Sequence, residues 1–458
     1  MNNTAKDASA AAIARGARPW SWIPSLYFAE GLPYVIVMTV SVVMYKRLGI
    51  SNTEIAIYTS WLYLPWVIKP FWSPLLEIFG TRRSWIIAMQ VLIGAGLGGV
   101  ALTLPTDNFL QYSLACLWLL AFSSATHDMA ADGFYMLGLS KHEQTWFVGI
   151  RSTFYRLAMI SGQGLLIILA GYLENATTLP DFLFDAASQA GSIEPAGNVP
   201  LAWSLTFLIL CGLFVILVAY HWRILPRPAA DAPRVRASHT EIIRDFLEIF
   251  VAFFRKKHIG VVLGFLLLFR FSEAQLVKMA APFMLDSGDI GGLALTTSQV
   301  GFAYGTVGML MLIIGGISGG LLAARHGLKF WLLWMAIAIN LPNAVYVYLS
   351  FWQPDSFPLV NIAIGVEQFG YGFGFTAYML YMIYVSQGQH STAHFAICTG
   401  FMALGMMIPG MFSGWLQEAL GYQYFFIWVL IATVPSFVVT LLIPLDADFG
   451  KKEDQEMA

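Results

Sequence analysis

Charge is what this sequence has least of. Only 11% of its 458 residues are Asp, Glu, Lys or Arg, against 58% hydrophobic and 15% aromatic. A soluble domain carries roughly 25% charged residues, so a water-exposed globule of this size is excluded, and the same hydrophobicity excludes a disordered chain. Cysteine is scarce too: Cys116, Cys211 and Cys398 lie far apart inside apolar runs. That rules out a disulfide framework and reads as small packing residues. The sequence holds no His-Glu-x-x-His, no Gly-x-Ser-x-Gly and no clustered Cys or His ligands. An intramembrane hydrolase or acyltransferase needs one of these, so the chain is read as no enzyme. Nothing points to a cofactor, a metal, a nucleotide or nucleic acid. Residues 1–19 carry Lys6, Arg15 and Arg18 but lead into no short apolar run with a small-residue cleavage site, so the first apolar run reads as an uncleaved anchor.

What is abundant is apolar sequence in lengths that cross a bilayer, about 20 residues each. Twelve such runs lie near 22–45, 53–75, 84–104, 109–138, 147–173, 200–222, 259–284, 298–323, 330–351, 358–386, 394–418 and 422–444. They lack the ten-residue alternation of a β-barrel, so the class is an all-α membrane protein. Of the 25 Lys and Arg, 18 fall in the N-terminal tail, the loops after spans two, four, six and eight, and the C-terminal tail. Lys46 and Arg47 are the basic residues of the opposite loops, and loop 174–199 has acids but no base. The positive-inside rule then expects both termini in the cytoplasm.

Residues 223–258 break the pattern, with eight Lys or Arg and three prolines near their start. They read as a cytoplasmic linker whose stretch 239–254 has the spacing of an amphipathic surface helix. The expected organisation is a tail (1–20), a six-helix bundle (21–222), the linker, a second bundle (259–445) and a tail (446–458). A loop signature repeats after the second span of each half: Ser73-Pro-Leu-Leu-Glu77-Ile-Phe-Gly80-Thr-Arg82-Arg83, then Gly320-Leu-Leu-Ala-Ala324-Arg325-His-Gly327-Leu-Lys329. It resembles the loop pattern of the major facilitator superfamily, which implies two pseudo-symmetric six-helix bundles. Glycines permit a tight turn, and Glu77, Gly80, Arg82, Arg83, Arg325, Gly327 and Lys329 are candidates for a cytoplasmic gate that breaks as the halves rock. Ser73 and Ala324 depart from the pattern. Basic residues that only fix topology explain the charges but not the repeated glycines.

A charge at bilayer depth costs about 2.5–3.5 kcal/mol and marks function by default. The spans hold Glu30, Lys69, Asp128, Asp132, Arg151, Arg156, Arg270, Glu273, Lys278 and Glu367, and seven of these ten lie on spans one, four, seven and ten. Counting from the turn near 142 puts Asp132 level with Arg151 and Asp128 level with Arg156, and Glu30 level with Lys69. Such pairs either serve the solute or neutralise buried ions. Arg270 and Glu273 sit three apart, with Glu367 at similar depth; the surplus acid suits a proton carrier. Gln368 and the run Phe369-Gly-Tyr371-Gly-Phe-Gly374-Phe follow, either facing a sugar ring or packing helices. His127 is a proton relay or an ordinary hydrogen-bonding residue.

Three further stretches carry a closer resemblance. Tyr27-Phe-Ala-Glu-Gly31-Leu-Pro33, Leu64-Pro-Trp-Val-Ile-Lys69-Pro-Phe-Trp-Ser-Pro74-Leu and Ala125-Thr-His-Asp128-Met-Ala-Ala-Asp132 are similar to the AmpG-type permeases, a branch that includes acetyl-CoA and siderophore permeases. Leu268-Phe-Arg270-Phe-Ser-Glu273 resembles their basic–acidic pair. The resemblance implies proton-driven import of GlcNAc-anhydroMurNAc-peptides for peptidoglycan recycling, with Asp128 as a coupling acid and Lys69 and Arg270 near the solute. Glu30 and the Glu367 run depart from the family pattern inside the cavity.

The expectation is therefore a proton-coupled secondary transporter importing an amino-sugar solute by alternating access. Asp128, Asp132, Glu273 and Glu367 are the candidate coupling acids; Glu30, Lys69, Arg156, Arg270, Gln368 and Tyr371 are the candidate solute contacts. Protons, the solute and the lipid bilayer are the expected partners, with the chain acting as a monomer. A siderophore importer and a proton-antiport drug exporter are the alternatives on the same fold.

Overall fold

The computed structural model describes residues 18–175, 198–228, 231, 239–388, 390–446 and 449–450. Both tails, most of loop 174–199 and the linker's Arg234 and Arg236 lie outside them, as does the side chain of Glu77. Among the described residues there is no strand. Helix occupies every apolar run the sequence marks out. The first span covers 23–47 and the second 52–78; Arg82–Thr103, Phe109–Gly138, 141–174 and Val199–Ile224 follow. After the linker helix His239–Phe254 come Ile259–Leu285, Thr297–His326, Leu328–Trp352, Phe357–Ser386, and then 391–442 divided at Gly421.

Capping moves several starts earlier than hydropathy suggests. The fifth span begins at Lys141 because Ser140 and Glu143 form a capping box, and Thr296 with Gln299 does the same for the eighth. Breaks have equally local causes. The second span is interrupted at 62–63, just before Pro65, and the ninth at 341–343 around Pro342. Gly421, at φ 72°, turns the eleventh span into the twelfth. The seventh span is broken at 269–270 with no proline at the break, and Arg270 stands at the N-cap position of its second segment, Phe271–Leu285, without a side-chain cap bond.

The described chain divides into two compact units, each discontinuous in sequence. The first gathers residues up to Val37, Phe71–Gly162 and Leu173–Ile243. Its core packs Trp22, Leu26, Tyr27, Ile86, Phe134 and Tyr135. The second gathers Met38–Pro70, Gln163–Tyr172 and Arg244 onward. One of its cores centres on Phe265, Met335, Tyr378 and Tyr381 and another on Phe283, Tyr346, Tyr422 and Phe426. The far ends of spans one, two and five therefore pack with spans seven to twelve. Two of those crossings are backbone against backbone: a β-carbon at Gly414 would collide with the Asn52 carbonyl, and one at Gly305 with that of Gln163.

The glycines of the tenth span are used in the same way. Side chains at Gly370, Gly372 and Gly374 would strike the carbonyls of Ala338, Leu312 and Met335. They are therefore contact points with the ninth and eighth spans rather than openings toward a ligand, which decides that choice for the glycines of the aromatic run.

Candidate functional site

In the first unit the acids of the fourth span meet a tyrosine, a glutamate and an arginine. Arg151 Nη1 lies 2.9 Å from Asp132 Oδ1 and donates to the Tyr27 hydroxyl at 3.0 Å, which itself donates to Asp132 at 3.1 Å. The guanidinium also sits over the rings of Tyr27 and Tyr135, at 4.8 and 5.0 Å from their centroids. Asp132 thus pairs with Arg151 as depth counting expects. Arg156 does not complete the second pair: its side chain is exposed, and no ion pair of it is found among the described residues. The reason is azimuth. Five residues rotate a helix by about 140°, so Arg156 faces away from Arg151, whereas Asp128 and Asp132, four apart, share a face.

Asp128 instead has Glu30 within hydrogen-bonding reach. Glu30 is 7% exposed, and no donor group of a described neighbour reaches its Oε2. Beside them a chain of polar side chains draws in two further spans, the third and the sixth. His221 Nε2 meets Ser25 Oγ at 2.9 Å, His221 Nδ1 meets Gln90 Oε1 at 2.9 Å, and Gln90 Nε2 meets His127 Nε2 at 3.0 Å. The Gln90 amide donates, so the ring proton of a neutral His127 sits on Nδ1.

The second unit holds the other cluster. Arg270 donates to both carboxylate oxygens of Glu273, each at 2.8 Å, and to the Tyr371 hydroxyl at 2.8 Å. Phe375 lies beneath the guanidinium at 4.9 Å. This fork is bidentate and buried, the strongest geometry open to such a pair. Glu367 is also buried, with Gln368 Nε2 donating to it at 2.9 Å. Lys69 is half-buried, belongs to this same unit, and has an interaction partner.

A further group of polar contacts, for which the sequence suggests no role, joins the ends of spans one and two to spans seven and eleven. Lys46 Nζ lies 2.6 Å from Asp286 and donates to Asn52 Oδ1 at 2.8 Å. Asn52 donates to Gln417 at 2.6 Å and to the Tyr422 hydroxyl at 3.0 Å, and Tyr422 closes the ring by donating to Asp286 at 2.6 Å. Thr53 bonds Glu418 through its hydroxyl at 2.6 Å. One signal was available: Lys46 is one of two bases on the side the positive-inside rule leaves poor. Lys278, a span charge with no assigned part, is buried close by with Nζ donating to Thr59 at 2.8 Å.

At the opposite loops the signature glycines act as turns, Gly80 at φ 81° and Gly327 at φ 85°. Asp231 of the linker accepts the backbone N–H groups of Arg82 and Arg83, at 2.7 and 3.0 Å, capping the third span. Arg83 reaches the carbonyls of Leu225 and Trp222 at the end of the sixth span. Arg325 and Lys329 are exposed. Lys256, outside the spans, donates to the carbonyls of Val385 and Gln387 that end the tenth span, and burial pulls its ammonium below the usual lysine range.

Long apolar helices with ion pairs at depth, one of them broken at an arginine, and a ring of polar contacts at one end make up a multi-span membrane protein. A family model described as Major Facilitator Superfamily matches residues 25–391. The chain belongs to that superfamily. Among curated relatives, the Escherichia coli anhydromuropeptide permease is 24% identical over 94% of this chain and 80% of its own length. A putative transporter AmpG 4 of Rickettsia conorii is 24% identical over 91% and 94%. Solved structures share the fold. The nucleoside transporter NupG superposes with a TM-score of 0.64 at 14% identity, over 92% of this chain and 96% of that one. A D-xylose–proton symporter gives 0.62 at 14%, over 94% and 98%. The AmpG-type resemblance read from the motifs is thus matched by the names of these relatives, and the chain is a multi-pass membrane transporter of this superfamily.

Proposed function

We propose that this superfamily transporter imports an amino-sugar solute, a GlcNAc-anhydroMurNAc-peptide or a close relative, together with protons. The relatives named as muropeptide permeases support the solute class. The observation that carries the coupling is the approach of Glu30, a buried carboxyl, to the half-buried Asp128, beside the Asp132–Arg151–Tyr27 cluster. A group that gains a proton from one side and loses it to the other changes the charge balance of the site, and so biases which end is open. One proton moving inward across about 100 mV contributes about 2.3 kcal/mol, enough for about fifty-fold accumulation of a neutral solute.

In this reading the bundles 21–222 and 259–445 rock against one another, with both termini in the cytoplasm. The ring of Lys46, Asp286, Tyr422 and Asn52 is then an outer latch, and Glu77, Arg82, Arg83, Arg325 and Lys329 belong to the cytoplasmic gate. Arg270, Lys69, Gln368 and Tyr371 are the solute contacts, and Glu273 and Glu367 join Asp128 and Asp132 as titrating acids. Arg156, exposed and unpaired among the described residues, is proposed as a solute contact on the same footing.

The test is uptake of labelled GlcNAc-anhydroMurNAc-tripeptide into proteoliposomes held inside-alkaline. Wild type accumulates the sugar peptide above its external concentration. Asp128→Asn loses accumulation while still exchanging solute downhill. No uptake by wild type overturns the solute; accumulation retained by Asp128→Asn overturns the coupling role.

A further inference from the structure

In the second unit the cations along the seventh span and the outer latch are matched to anions. Arg270 has Glu273, and Lys46 has Asp286. Lys278 has no such partner among the described residues. Its side chain is 2% exposed, its Nζ donates to the Thr59 hydroxyl, and beyond that it faces the Tyr63 ring at 5.1 Å. Thr59 spends its own hydrogen on the Ile55 carbonyl at 2.6 Å, so it offers Lys278 a neutral oxygen and nothing more. From the eleventh span comes Gly410, which has no side chain to give. The other titratable groups facing this helix are engaged elsewhere: Glu418 by Thr53, and Tyr422 by Asp286 and Asn52.

A lysine held in a dry interior without an opposite charge either keeps a costly charge or gives up its proton; water relieves both costs, so the residue works against the packing that buries it. Here that packing lays the second and eleventh spans over the seventh, the contact that the Lys46–Asp286 and Asn52–Gln417 bonds hold shut. We propose that Lys278 is the opening element of this gate: its burial without an anion opposes the latch, so the closed end is poised to reopen in each cycle. Latch and lysine act with opposite sign on one equilibrium. The inference rests on the gating part of the proposed function and not on the identity of the solute.

Ser60 provides the reporter. It follows Thr59, is 0% exposed, and its hydroxyl has no hydrogen-bond partner among the described residues, so Ser60→Cys breaks no bond and adds only the slightly larger sulfur, on the side where Gly410 offers no side chain. With Cys116, Cys211 and Cys398 replaced by serine, a water-soluble maleimide reacts with the Ser60→Cys thiol only while this end is open. Lys278→Met is expected to slow that reaction by about five-fold or more, and Lys278→Arg to leave it within about two-fold. Asp286→Asn, which loosens the latch, should speed it by about five-fold. A lysine with a merely structural role moves the methionine variant the other way, because lost packing exposes the thiol. An unchanged or faster rate in Lys278→Met overturns the proposal; Lys278→Gln gives the same reading should Lys278→Met fail to remain monodisperse. No solute enters the assay, so a failed sugar-peptide uptake leaves the opening role of Lys278 untouched.

Discussion

Two arginine–carboxylate pairs in this chain look alike on paper and differ in what they are worth. Arg270 and Glu273 are 9% and 3% exposed, and removal of one partner strands the other in a dry site. Glu273→Ala should therefore destabilise by about 3–5 kcal/mol, while Arg270→Met with Glu273→Leu recovers most of that loss; thermal unfolding in detergent measures both. Arg151 and Asp132 are 29% and 45% exposed. Water screens them, so Asp132→Asn should cost under about 1 kcal/mol in the same assay and yet reduce gradient-driven uptake. Stability and transport thus part company at one pair and fall together at the other. The sequence revealed these pairs because each acid and its base stand at matching depth or within one turn. It misplaced Asp128 because depth alone ignores rotation: Arg156 is level with Asp128 but points elsewhere. Glu30, a departure from the family motif, is the residue found near Asp128 instead.

At the scale of helices, length and position were legible, since a bilayer sets one and prolines, glycines and capping boxes set the other. What the helices' small residues are for was not. Gly372 and Gly320 look equivalent in sequence, but a β-carbon at Gly372 would strike the Leu312 carbonyl, and one at Gly320 meets nothing. Gly372→Val should sharply lower the yield of folded protein in membranes. Gly320→Ala, within a helix, should be neutral or stabilising by up to about 1 kcal/mol, as read from its melting temperature. The break at Arg270 was invisible for a related reason. No proline or glycine announces it, and the guanidinium of Arg270, the residue at the head of the new segment, is held by a carboxylate three residues on.

For the molecule as a whole, the sequence supplied a charge map and a repeat, from which a two-bundle carrier follows. It could not supply contacts such as Lys278 to Thr59, which are 219 residues apart, or Asn52 to Gln417, 365 apart. Those arise only when helices from both halves are laid side by side. They are also where the proposed gating acts, because a contact between distant segments can be made in one state and lost in another. Lys46→Ala should weaken the latch without unfolding the protein: the Ser60→Cys thiol becomes more reactive by several-fold, while the melting temperature moves by only a few degrees.

The crossings at Gly414 with Asn52 and at Gly305 with Gln163 bring carbonyl and α-carbon together with no side chain between them. A seam of that kind has no room for a file of water, the path along which a stray proton would hop. On the proposed gating that seam would insulate the shut end, so that the gradient across the membrane is not short-circuited between turnovers, and a side chain wedged into it, even the methyl of alanine, would be expected to turn the carrier at rest into a slow leak.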